Sequence, residues 1–405
     1  MIPTELTGID VYRAFQTACL ASSLNGLVDV DLLLTKILRN ARLILKAEAG
    51  TVYLVNSKRL LIQASQNDYL ERLIHEADEL PFLGVFLEID SSTLAGYAAM
   101  KREILTVNNT QEIDFDAPFQ HLMSIDNSNN YNCQAIMSIP LISANQDLLG
   151  ILQLINPLDD SGLITEFDKV DEPLMAFYAQ SVAQALERAL MFRASILNSV
   201  KIIGLHDQNE TMAHAQRVSF LTTAIYKNWA LKHNVSQTEI ERVLNILPLA
   251  AMLHDVGKAW VPDNILNKPC RLEKLERKTM EEHVLFGARL YLDSSTPLEK
   301  LIFNVISDHH ERWDGLGYPG WENSQPPKGK KGEEISVYGR ILAVADVYDA
   351  LSSRKAYKEP YDESLAVQIM QQESGRHFDP SVVESFMAIR PVLSKVRERF
   401  PEELA

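Results

Sequence analysis

Apolar residues recur at helical spacing over Val30–Lys46, where Leu33, Leu34, Ile37, Leu38, Ala41 and Leu45 fall on one face. Short apolar runs follow. Thr51–Val55, set between Gly50 and Asn56-Ser57, predicts a strand, and Ile104–Val107 a second. Ala135–Leu141 and Leu148–Ile155 flank the polar turn Ser143–Asp147, the pattern of a hairpin in a central sheet. Helical spacing returns at Pro173, a residue suited to a helix's first turn. Val182, Leu186, Ala189, Ile196 and Val200 then form an apolar stripe that Arg193 interrupts. Such a stripe either makes a parallel dimer seam or packs on its own domain, and the first reading predicts a homodimer. From His206 onward the pattern is almost wholly helical: Ala213–Trp229, Thr238–Leu253, Leu275–Leu292 and Glu299–His309. The pattern thus predicts an α+β domain over residues 1–172, a linker helix over 173–200 and an all-α bundle over 201–405.

A chain of 405 residues has room for two or three such units, each with its own core. The formal net charge of −15 makes it a poor non-specific binder of nucleic-acid polymers. Any polyanionic substrate must then meet a local cationic site, such as bound metal. Cys19, Cys133 and Cys270 lie far apart, which argues against a disulfide framework or a thiolate zinc site. The opening MIPTELTGIDVYRAF lacks a basic stretch followed by an apolar core, and no apolar run approaches a membrane span. The expectation is a soluble, cytoplasmic protein.

Histidine usage divides the chain. Eight of the ten histidines lie from His206 onward; only His75 and His121 precede it. In the second half, metal-type residues interrupt apolar helices. Leu249–Leu253 runs directly into His254-Asp255-Val256-Gly257-Lys258. An imidazole beside a hard carboxylate oxygen suits Mn, Fe or Zn, and Lys258 adds a cation. The pair His206-Asp207 reads as helix-entry or surface chemistry. Glu210 and His214, four apart, share one helix face. His283 sits on a helix, with Gly287 one turn on. His309 and His310 are adjacent and cannot share one helix face. Asp346 follows the apolar run Ile341–Ala345, where an unliganded carboxylate is costly. Singly, each has an ordinary structural reading. Together, Glu210, His214, His254, Asp255, His283, His309, His310 and Asp346 exceed the needs of one ion of about six positions, so two or three ions are implied.

The first half resembles a GAF domain, a small-ligand sensory module. The resemblance is carried by Ser92–Gly96 with the helix after it, by Ile136–Leu141, and by Gly150–Asn156. Cyclic-nucleotide-binding members carry Asn-Lys, then Phe, then Asp-Glu. Asn156, Phe167, Asp171 and Glu172 match, while Pro157 stands in place of the Lys. The resemblance offers these four as candidate contacts to a cyclic nucleotide. The alternative is that Phe167 is core and that Asp171-Glu172 opens a helix, where acids suit the N-terminus.

Residues 200–390 or so resemble the HD-GYP family. His254-Asp255-x-Gly-Lys258, His283, His309-His310-Glu311 through Tyr318-Pro319, and ILAVADVYDAL at Ile341–Leu351 carry it. The resemblance implies a metal-dependent phosphodiesterase that opens cyclic di-GMP to linear pGpG, and on to GMP in a second cut. It implies two or three metals, commonly iron or manganese, on His214, His254, Asp255, His283, His309, His310 and Asp346. Glu210 matches the extra carboxylate of three-metal members. Asp255 is then the bridge between metals and, with Lys258 on the scissile phosphate, the catalytic pair. The loop Asp314–Gly320, with Gly317, Tyr318 and Pro319, borders the substrate in that family, and the resemblance also makes it a candidate surface for a protein partner. Two departures matter. Trp321–Glu334 is a long, Lys-rich apparent insertion. Further on, Lys355 aligns where the family has Arg, with Arg354 one place early and Lys358 beyond. A lysine is a point charge rather than a bidentate fork, so phosphate or guanine contacts differ. A mixed cyclic GMP–AMP substrate, or a non-hydrolysing nucleotide-binding adaptor, are the alternatives.

Overall fold

The structure, a computed structural model, describes residues 8–68, 84–114, 116–119, 131–207, 211–293, 296–321, 328–353 and 360–401. The chain divides into two compact units, Met1–Met191 and Phe192–Ala405.

The first unit is built on a six-stranded antiparallel sheet. Its elements run α1 (Gly8–Ser22), α2 (Val30–Leu45), β1 (Ala47–Asn56), β2 (Arg59–Asn67), β3 (Phe86–Glu88), α3 (Leu94–Lys101), β4 (Leu105–Val107), β5 (Ile136–Ile142), β6 (Leu148–Pro157) and the long helix α4 (Asp171–His206). The sheet order is β3-β2-β1-β6-β5-β4. The α2 helix starts where Asp29 caps the Leu32 amide and stops at Lys46, which turns left-handed. The β1–β2 turn uses Ser57 and Lys58, both at positive φ, the geometry of a two-residue hairpin turn. The hairpin predicted across Ser143–Asp147 is the β5–β6 pair, with Ile139 opposite Leu152. Strands β2 and β3 have no counterpart in the sequence reading.

The expected apolar face of α2 is buried, and Leu33, Leu34, Ile37 and Leu38 pack with Val52, Met137, Ile139, Leu152 and Leu154 of the sheet. Each aliphatic side chain taken from water in this way contributes about 1.5–3 kcal/mol. The stripe on α4 joins the same core: Val182, Leu186 and Ala189 are fully buried in it. Ile196 and Val200 are buried as well. The first three residues of the stripe, Val182, Leu186 and Ala189, are therefore covered by the first unit's own core. Tyr178 is sealed beside it, its hydroxyl donating to the Ile37 carbonyl. On the other side of the sheet, Ala95, Ala98 and Ala99 of α3 pack on Tyr53, Leu60, Ile62 and Ile151.

The second unit is helical. After α4 it runs α5 (Met212–Lys232), α6 (Gln237–Leu244), α7 (Leu247–Met252), a 3₁₀ turn (Val256–Trp260), α8 (Asp263–Leu266), α9 (Lys274–Glu281), α10 (His283–Arg289), α11 (Pro297–Asp308), α12 (Val337–Ser352), α13 (Glu363–Gln372), α14 (Pro380–Ala388) and α15 (Leu393–Arg399). Two predicted helices are each two. Thr238–Leu253 breaks at Asn245-Ile246, with Pro248 in the first turn of α7. Leu275–Leu292 breaks at Glu282, so His283 opens a helix instead of sitting inside one. The second break places His283 at a helix start.

Candidate metal centre

The α7 helix ends at Met252 and brings His254 and Asp255 to its exit. The 3₁₀ turn that follows is seated on α10 through Gly257, where a Cβ would come within 1.8 Å of the His283 carbonyl oxygen. Only glycine allows that approach, and the approach sets Asp255 against His283. The α11 helix stops at Asp308, with His309 as its cap and His310 beyond. The rule that adjacent histidines cannot share a helix face therefore lapses, and the two rings lie 4.1 Å apart. His214 stands in the first turn of α5, where Thr211 caps its amide. Asp346 projects from α12.

These side chains form two groups. Ligand atoms of Asp255, His283, His309 and His310 lie within 4.8 Å of one another, and those of His214, His254 and Asp346 form a second such set. Asp255 faces both. Its Oδ1 is 3.0 Å from His283 Nε2 and 3.5 Å from His309 Nε2, while its Oδ2 is 3.4 Å from His254 Nε2. In the second set, His214 Nε2 is 3.6 Å from Asp346 Oδ1.

The hydrogen bonds fix the tautomers. Nδ1 of His254, His283 and His309 lies 2.7–2.8 Å from the carbonyl oxygens of Ala251, Met280 and Ile306. A carbonyl only accepts, so each Nδ1 carries the proton and each Nε2 of a neutral ring holds a lone pair. Burial pushes the His309 and His310 pKa values down, which keeps those rings neutral. Burial alone would raise the Asp255 carboxyl. Lys258 and His254 instead hold it well below the usual carboxylate range. An ionised carboxylate and two imidazole lone pairs thus point at one another. Among the described residues, Asp255 Oδ1, His283 Nε2 and His309 Nε2 are buried without a hydrogen bond. Acceptors 3.0 Å apart repel unless a cation lies between them. The donor set, imidazole nitrogen with carboxylate oxygen, fits a divalent transition metal.

Residues 201–382 match the model of the HD domain, and residues 29–186 match that of the GAF domain. The chain carries a GAF domain followed by an HD domain. It is 32% identical over 247 residues to the 3'3'-cGAMP-specific phosphodiesterase 2 of Vibrio cholerae, covering 57% of this chain and 44% of that protein. It is 34% identical over 212 residues to a cyclic di-GMP phosphodiesterase of Thermotoga maritima, covering 52% of this chain and 53% of that one. A cyclic di-GMP phosphodiesterase of Vibrio cholerae is 36% identical over 199 residues, 48% of this chain and 39% of that protein. The chain spans about half the length of the curated relatives it matches.

Around this centre the HD domain places the remaining candidates unevenly. Lys258 Nζ lies 2.7 Å from Asp255 Oδ2 and 3.0 Å from Asp207 Oδ2. Tyr318 packs on the His310 ring at 4.8 Å. Its loop is tied down by Glu311, whose carboxylate accepts from the Gly320 and Lys330 amides and whose pKa burial pushes up to about 7. Gly317 lies so close to the Glu311–Arg312 backbone that a Cβ would be 2.4 Å from the Arg312 nitrogen. Pro319 follows Tyr318 through a cis peptide bond. Asp314 is engaged by Arg312 and by the Leu316 amide, so its carboxylate shapes the turn. Glu210, Arg354, Lys355 and Lys358 lie outside the described residues.

Sequence reasoning missed four contributors. Asp207, set aside with His206, is 2% exposed and pairs with Lys258. Glu311 anchors the Tyr318 loop. Asp349 accepts from His214 Nδ1 at 2.8 Å and from Arg217 Nε at 2.6 Å. Burial would raise its pKa, but His214 and Arg217 hold it at about 2. The signal was available: Arg217 and Asp349 each lie three residues after a candidate ligand, on the same helix face.

The GAF domain's four candidate contacts each have partners within the first unit, three of them buried and Glu172 at the surface. The Asn156 amide oxygen accepts from the Gln134 and Ala135 amides, and its nitrogen donates to Glu48, Tyr131 and the Asn132 carbonyl. Phe167 is in the core. Asp171 accepts from Arg13 and from the Asp168 amide as α4 begins. Glu172 accepts from the Thr106 hydroxyl.

Proposed function

We propose that this chain is a metal-dependent phosphodiesterase of the HD-GYP kind that linearises a cyclic dinucleotide, with cyclic di-GMP as substrate and pGpG as product. The observation that carries the reading is one buried carboxylate, Asp255, turned toward two sets of imidazole and carboxylate ligands. His283, His309 and His310 would hold one ion and His214, His254 and Asp346 another, Asp255 serving both; iron or manganese suits these donors. Glu210 is the candidate for a third ion. Bound metal lowers the pKa of water toward neutrality and neutralises charge on phosphoryl oxygens.

The chain's own residues supply the rest. Nδ1 contacts hold His214, His254, His283 and His309 in the ligating tautomer. Lys258, held between Asp207 and Asp255, offers a fixed positive charge to a phosphate arriving at the centre. Tyr318 walls the site beside His310. The names of the relatives support the substrate class: cyclic di-GMP for some and 3'3'-cGAMP for others. The Lys355 departure keeps the mixed dinucleotide as the second substrate. Regulation by the GAF domain completes the proposal; α4, unbroken over Asp171–His206, is the covalent link available for it.

The test incubates the purified full chain, reconstituted with Mn²⁺ or Fe²⁺, with cyclic di-GMP and with 3'3'-cGAMP, and separates the products by chromatography. Linear dinucleotide is expected, first from cyclic di-GMP. A metal-replete chain that leaves both intact would overturn the enzymatic reading in favour of a binding adaptor.

A further inference from the structure

His254, His283 and His309 share an origin for their Nδ1 partner. Each follows the end of a helical segment and reaches back three residues to a carbonyl of its last turn. These carbonyls belong to the last turn of their helices, so the local backbone supplies the partner. His214 lies instead in the first turn of α5, where the Thr211 hydroxyl caps its amide. Its Nδ1 partner is brought by another helix: Asp349 Oδ2 of α12, at 2.8 Å.

Asp349 is in turn held on both oxygens. Arg217 Nε reaches Oδ1 at 2.6 Å and its Nη2 reaches Oδ2 at 2.9 Å. Arg217 and Asp349 are each 2% exposed. The third arm of Arg217, Nη1, donates to the Phe400 carbonyl at 3.1 Å, outside the segment 201–382 that the HD domain model covers. A buried bidentate ion pair of this kind is a poor source of stability, because desolvation of two charges offsets their attraction. It does fix geometry. Oδ2 can sit only where both Arg217 and His214 reach it.

We propose that Asp349 and Arg217 are positioning residues for the His214 side of the metal centre: they impose the Nδ1–H tautomer on His214 and aim its Nε2 at the partner ligands His254 and Asp346. The proposal rests on the metal reading above. It makes the centre asymmetric. His254, His283 and His309 are oriented by carbonyls of their own helix ends, and His214 by a tertiary ion pair.

The experiment strips the full chain of metal and titrates it with Mn²⁺ by calorimetry, while ¹⁵N shifts of the histidine rings report tautomers. The main variant is the double substitution Asp349→Leu with Arg217→Met, since replacing a buried ion pair by apolar groups of similar size commonly preserves the fold. One class of Mn²⁺ site should weaken by about 10–100-fold, the usual cost of losing an outer-shell partner, while the other class stays as in the wild type. His214 alone among the ring signals should lose its fixed Nδ1–H form. If the double variant does not fold, Arg217→Lys serves, keeping the charge but losing the fork. It should shift the same class in the same direction by a smaller factor. A folded variant with both classes at wild-type affinity and an unchanged His214 tautomer overturns the proposal. A wild-type chain that binds no Mn²⁺ refutes the metal reading itself, and this inference with it.

Discussion

Asn156 in the GAF domain and His254 in the HD domain are both fully buried polar residues, yet their neighbourhoods are built on opposite principles. Around Asn156 every donor meets an acceptor. Its amide makes contacts with two backbone nitrogens, Glu48, Tyr131 and the Asn132 carbonyl. Gln153 likewise accepts from Tyr53 and donates to Ser138. Around Asp255 the acceptors face each other, and His283 Nε2 and Asp255 Oδ1 stand 3.0 Å apart without a hydrogen bond. Satisfied polar groups rigidify a core, whereas convergent unsatisfied ones are costly and persist where something outside the chain satisfies them. The contrast separates a polar residue that serves the fold from one that awaits a ligand. By that criterion the buried Asn156 amide serves the fold.

The comparison can be broken most sharply at Asp255. Asp255→Ala should cost about 10³-fold or more in turnover, because bound metal contributes several kcal/mol of charge stabilisation. The circular dichroism spectrum should stay native. Near wild-type hydrolysis of cyclic di-GMP by this variant would refute the role given to the two-faced carboxylate.

Lys258→Met comes next. Loss of one fixed charge at a phosphoryl group should lower kcat by roughly 10²-fold, with Mn²⁺ content by elemental analysis unchanged. A parallel loss of metal would make Lys258 a support for Asp255 in place of a substrate contact.

On the other side of the comparison, Asn156→Ala should destabilise the GAF domain by about 2–4 kcal/mol, since it strands the Gln134 and Ala135 amides, the latter buried. Denaturant melts followed by fluorescence measure it. A loss well under 1 kcal/mol would show that the network is dispensable, and would return Asn156 to the list of ligand contacts.

The smallest effect is the most discriminating. His309→Leu removes a buried imidazole whose Nε2 has no hydrogen bond among the described residues. In metal-free protein it should be neutral or stabilising by up to about 1 kcal/mol, because an uncompensated polar group is exchanged for an apolar one. With Mn²⁺ added, the wild type should gain about 3 kcal/mol at a hundredfold excess over Kd, and the variant less. A variant destabilised in the absence of metal to the same degree as Asn156→Ala would erase the distinction between the two neighbourhoods.

The legible parts of the molecule are those set by nearest neighbours along the chain. Helical spacing located α2, α5 and α11 to within a few residues, and the apolar runs located β1, β5 and β6. The metal-type residues stood out because a carboxylate or imidazole on an apolar helix violates the pattern around it. Strand β2 escaped because Arg59–Asn67 mixes exposed and buried positions without strict alternation. The α4 stripe was visible, but a periodic apolar face does not name the surface that covers it, and for Val182, Leu186 and Ala189 the cover is the GAF core.

The sequence by itself offered the inventory of candidate ligands, since residue identity is a local property. It also determined three of the four imidazole tautomers described here, through carbonyls three residues upstream of His254, His283 and His309. Tertiary structure alone decided the rest. It brought Asp255 of one turn against His283 of another helix through the Gly257 contact. It turned Asp207 from surface chemistry into the partner of Lys258, and it delivered Asp349 with Arg217 to His214. These pairings span 28 residues in the first case and 135 in the last. Periodicity carries no information over such separations, because the contact depends on how packed helices cross and not on what precedes either residue in the chain.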